Sequence, residues 1–203
     1  MPLSSLALFA AVYAVAVASP GPGIAALVAR VLARGTPGVV AFGAGFVVGD
    51  LFWFALTATG FAVVAQTFAL GFVILKYVGA LYLAFLAWRA WAARCDAVEA
   101  APIEGDSAVR LFLGGLVVTL GNPKVILFFL ALLPTVIDLD HLTALGIAEI
   151  AAAIVVVLSL VLAAYVLAAA RARRAFTSPR ARRLMNRGAG TVMAGAAVAI
   201  VAR

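Results

Sequence analysis

The chain has 203 residues, 67% of them hydrophobic and 11% charged, with a formal net charge of +7. Globular domains are about half apolar and a quarter charged, so a soluble fold of this length could not bury so much apolar surface. The basic excess sits on arginines that flank apolar runs without an aromatic platform, which argues against nucleic-acid binding.

Continuous apolar runs of about 20 residues read as transmembrane helices, and they lack the alternation of barrel strands. Six spans are predicted, at 3–29, 38–64, 68–88, 111–135, 143–170 and 184–202. The fold class expected is an all-α membrane protein, one domain over 1–203 with six transmembrane helices. Two three-helix halves, 1–92 and 111–203, are joined by a polar, acidic cytoplasmic linker at 93–110. No Lys or Arg precedes the first run, so it lacks the basic start of a signal peptide and is read as a retained helix.

The first span contains "AVASPGPGIAALV" at 16–28, where Pro20, Gly21, Pro22 and Gly23 interrupt an apolar helix. A break frees backbone groups that lipid cannot satisfy, so it must be buried in protein or line a watery cavity. Transporters place such breaks at midplane binding sites. A simple kink is the competing reading. The second span carries "GAGFVVGD" at 43–50. Gly45 and Gly49 form a GxxxG pair suited to close helix packing, and they set Asp50 deep in the span. Lys76 in the third span and Glu149 in the fifth lie nearer the ends, where a long side chain can reach the interface.

The fourth span holds the second break, "GNPK" at 121–124. Ser19 and Asn122 each precede a proline and are predicted to cap the half-helix that follows. Lys124 lies deep, opposite Asp50, and the two could pair as buried charges. Pro20 and Pro123 occupy the first helix of each half. Three helices per half then enter from opposite sides, giving an inverted repeat.

Lys and Arg crowd three of the five connections: Arg30 and Arg34; Arg89, Arg94 and Arg110; and the run from Arg171 to Arg187. The other two hold Gln66, and Asp138, Asp140 and His141. The positive-inside rule puts the arginines in the cytoplasm and both termini outside. A lone Cys95 supports neither a disulfide nor a redox pair. His141 is the single histidine and no HExxH or GxSxG occurs, so no hydrolase is expected.

Taken together, "SPGPG" at 19–23, "GAGFVVGD" at 43–50, "LKYVGALYLAFLAWRAW" at 75–91 and "GNPKVILFFLALLP" at 121–134 resemble the LysE/RhtB family of bacterial amino-acid exporters. The chain departs from the family pattern in reading "PTV" rather than "PQF" at 134–136, and its fifth span lacks a polar-aromatic pattern. The resemblance implies a six-helix inner-membrane protein, not an enzyme, that exports amino acids or close derivatives. It implies no cofactor, with the proton gradient as energy source. It also places Pro20, Pro22, Asp50, Asn122, Pro123 and Lys124 in the transport region, and Ser19 joins them from the capping argument. Expected partners are an amino acid, the lipid bilayer and a second copy of the chain. Export of another small solute or a metal cation is the alternative, although no Cys or His lies within the spans to hold a soft metal. A retinal photoreceptor built on Lys124 and Asp50 is more distant.

Overall fold

The computed structural model describes residues 1–59, 107–138 and 142–175, together with alternating helical positions within 77–92 and 184–201. Lys76, Gln66, Arg89, Arg94, Cys95, Asp140 and His141 lie outside the described residues. So do most of the linker and much of the third and sixth spans. Among the described residues all regular structure is helical.

The chain opens with α1 (Leu3–Ala18) and α2 (Pro22–Arg34), followed by α3 (Val39–Ala58). After the linker come α4 (Ala108–Leu120), α5 (Pro123–Leu127), a π-helical turn (Phe128–Leu132) and α6 (Leu133–Val136). The long α7 (Ala144–Ala175) completes the continuous elements. Among the described residues, α3 and α7 are each long and apolar enough to cross a membrane. Two broken pairs meet the same test as single bent spans: α1 with α2, bent by 56°, and α4 with 123–136, bent by 55°. Large apolar side chains such as Leu8, Val15, Phe52, Val156 and Leu160 face outward, where a bilayer satisfies them and water would not. This is an all-α membrane protein.

Proline sets both bends. The residue before a proline is pushed out of the helical region. Ser19 (ψ 124°), Gly21 (ψ −176°) and Asn122 (ψ 109°) are accordingly extended. Pro22 and Pro123 then occupy first-turn positions, where their missing N–H is no loss. Because α2 runs to Arg34 and not merely to 29, the break lies near the middle of the first span.

The tightest helix contact is α3 on α4. A Cβ added at Gly45 would lie 2.2 Å from the Phe112 carbonyl oxygen, and one at Gly115 would lie 2.0 Å from that of Phe42. At Gly49 it would meet the Thr119 side chain at 2.7 Å. Backbone thus touches backbone, and no rotamer change can make room. Gly45→Ala and Gly115→Ala should each push the helices apart and destabilise the fold by about 1–3 kcal/mol, as overpacking does. Thermal unfolding in detergent measures it; unchanged midpoints would show that the contact is dispensable.

Helix α7 packs along α1, α2 and α3. At 32 residues it is about 48 Å long, beyond a hydrocarbon core of about 30 Å, so its arginine-bearing end emerges past the apolar slab. There Arg173 donates to the Leu32 carbonyl at 2.6 Å, and Arg30 donates to that of Pro37 at 3.2 Å. A Cβ at Gly38 would meet both Arg30 and Leu111, so the described arginine-bearing ends of the first, fourth and fifth spans gather at one end of the bundle. The described helical residues of 77–92 and 184–201 also meet, with the Trp91 indole N–H donating to the Arg187 carbonyl at 3.0 Å. Phe9, Tyr13, Phe42, Phe46, Trp53, Phe129, Ile150 and Ile154 form the core between these elements.

Candidate functional site

The two breaks come together. A Cβ built on Gly21 would lie 3.2 Å from the Lys124 Cδ, and one on Gly23 would lie 3.7 Å from the Asn122 Nδ2. Between them and α3 is a cavity of about 60 Å³, room for a few ordered waters. Ser19, Gly21, Asp50, Asn122 and Lys124 all contribute to its wall. Residues more than 100 positions apart in sequence therefore share one small space.

Asp50 is buried, 3% exposed, and directly follows Gly49 of the α3–α4 contact. The Tyr13 hydroxyl donates to its Oδ2 at 2.6 Å. Tyr13 is itself fully buried, stacked on Phe9 at 5.6 Å and flanked by Phe128 and Phe129. Sequence reading passed over Tyr13. A hydroxyl in the middle of an apolar span was the available signal, because a buried polar atom requires a partner.

Asn122 accepts from the Lys124 backbone N–H at 3.1 Å and so caps the half-helix that follows it. Ser19 does not. Gly21 is the N-cap of α2, without a side-chain cap, because the second proline fixes the helix start at 22. Ser19 closes α1 instead, and its carbonyl accepts from the Lys124 Nζ. The neighbouring Ala18 carbonyl accepts from the Tyr165 hydroxyl at 2.7 Å. A helix C-terminus carries partial negative charge and unsatisfied carbonyls, so a lysine ammonium is well placed there.

Asp50 and Lys124 are therefore not an ion pair: the first is held by Tyr13 and the second by the α1 carbonyl end. Both nonetheless border the same cavity. Glu149 is elsewhere, accepting from the Met1 amino group at 2.8 Å. The π turn was also unforeseen. Pro134 cannot donate to the carbonyl four residues back, and the Leu133 N–H reaches Phe128, five residues back. The wider turn buries two consecutive aromatics, Phe128 and Phe129, on the cavity side.

A family model for LysE type translocators matches residues 14–203. The chain belongs to that family. An uncharacterized membrane protein of Synechocystis is 31% identical over 149 residues, 73% of this chain and 72% of the relative. The homoserine/homoserine lactone efflux protein of Salmonella typhimurium is 30% identical over 180 residues, covering 86% and 84%. A Vibrio cholerae membrane protein is 28% identical over 182 residues, covering 87% and 86%. No solved structure matches this chain. The protein is thus a LysE-type translocator, a membrane protein that moves a small molecule and not an enzyme. Membership replaces the photoreceptor alternative for Lys124 and Asp50.

Proposed function

We propose that this translocator exports amino acids or close derivatives from the cytoplasm across the bacterial inner membrane, driven by protons. The observation that carries the reading is the meeting of Asp50, Asn122 and Lys124 on one cavity between two broken helices. An amino acid is a dipole with a carboxylate and an ammonium close together. Lys124 and the α2 N-terminus, whose first N–H groups have no helical partners, form a positive pole for the carboxylate. Asp50 forms a negative pole for the ammonium. Proton coupling follows from the same carboxylate, which exchanges its proton for the substrate ammonium because two cations cannot share one buried anion. Alternating access then requires the two bent spans to shift against each other about the cavity.

The test is export from cells with and without the gene, with intracellular and medium amino acids quantified by mass spectrometry. At least one amino acid should fall inside the expressing cells and rise outside, and an uncoupler should stop it. Export that persists after the proton gradient collapses would remove proton coupling. Export of metal or other solutes alone would replace the amino-acid reading.

Orientation is tested separately. Reporters inserted after Arg34 and after Asp138 should read inside and outside, respectively, since arginines are retained in the cytoplasm. Both reading on one side would overturn the arrangement with both termini outside.

A further inference from the structure

We infer that the site around this cavity, once the bent spans shift to admit substrate, accepts amino acids with uncharged side chains and rejects those with a second charge. The inference rests on the exporter reading above and adds a substrate class to it.

The chain has eight Asp and Glu residues. Asp96, Glu99, Glu104 and Asp106 are in the linker, and Asp138 and Asp140 are in the connection between the fourth and fifth spans. Only Asp50 and Glu149 remain within spans. Glu149 is bonded to the Met1 amino group, nine residues and so about 13 Å along α7 from the cavity-lining Leu158. One carboxylate is therefore available at the depth of the site, and the α-ammonium of any amino acid claims it.

A lysine or arginine substrate would bring a second cation. The rest of the wall offers it no second carboxylate: apart from the neutral polar groups of Tyr13, Ser19, Thr119 and Asn122, it is largely apolar, with Phe46 and Phe128 among its side chains. A phenylalanine face attracts a cation, but by less than desolvation of an ammonium or guanidinium takes away. An acidic substrate meets the converse difficulty. Among the described lining residues Lys124 is the one cation, and the α-carboxylate takes it. An uncharged side chain leaves no pole unmatched, and an apolar one buries against the aromatic wall. Specificity here comes from what the site lacks, because an unpaired buried charge is strongly disfavoured.

Counterflow in proteoliposomes of the purified full chain measures this directly, with labelled alanine, threonine, leucine, lysine, arginine and glutamate as separate probes. At least one of the first three should exchange. Lysine, arginine and glutamate should each exchange at least about tenfold more slowly than the best of them. Exchange of any charged probe at a rate comparable with the best neutral one overturns the inference while leaving an amino-acid exporter in place. Exchange of none of the six overturns the exporter reading and the inference with it.

Discussion

Asp50→Asn should abolish export while leaving the protein folded. The amide keeps a carbonyl oxygen that can accept from Tyr13, so the buried hydroxyl retains its partner. What is lost is the negative pole and the proton carrier, and the expected loss in rate is at least about 100-fold, the scale of one missing charged contact. Asp50→Leu is a different experiment. It strands the Tyr13 hydroxyl in an apolar environment, which costs about 1–3 kcal/mol, so folded yield should fall as well. Wild-type export by Asp50→Asn would remove the carboxylate from the mechanism. Lys124→Met gives a second arm, leaving the Ser19 carbonyl without its cation. Because Asp50 and Lys124 have separate partners, the double variant should show no recovery of stability over the single ones. A rescue would mean that the two charges meet after all.

Replacing Pro20 and Pro22 together by Ala should also give folded protein with little export, at least about tenfold below wild type. Proline in a helix interior is about 3 kcal/mol worse than Ala, so removing both lets α1 continue toward α2. Gly21 would leave its extended conformation, and the 56° bend would open. Straightening withdraws the Ser19 carbonyl from Lys124 and moves Gly21 and Gly23 off the cavity wall. Thermal stability, measured alongside export, separates this from misfolding. Near-normal export from a stable double variant would reduce the break to a tolerated kink. The same logic extends to Pro123, where Asn122 still supplies a cap and the effect should be smaller.

Composition and proline placement made much of the fold legible. Apolar runs located the described spans to within a few residues, because burial in lipid requires length and hydropathy before anything else. The pre-proline rule fixed where helices break. It missed that Ser19 would cap nothing, since two prolines compete for the helix start and the later one prevails. The GxxxG pair pointed to close packing, but only the structure shows that Gly115 on α4 answers Gly45 on α3.

Partnership was the part the sequence left open. Asp50 and Lys124 look like a natural pair on a list of buried charges. Tertiary packing instead brings Tyr13, 37 residues away, to Asp50, and the Ser19 carbonyl, 105 residues away, to Lys124. Local pattern fixes which groups are buried, because burial follows helix periodicity and hydropathy. Which groups meet depends on how helices cross, and those crossings are set by backbone contacts at glycines and by bends at prolines. The sequence by itself determined that this protein spans a membrane, breaks two helices and buries a carboxylate. The tertiary structure decided that both breaks face one cavity and that each charge has its own partner, because that outcome depends on contacts between residues far apart in the chain.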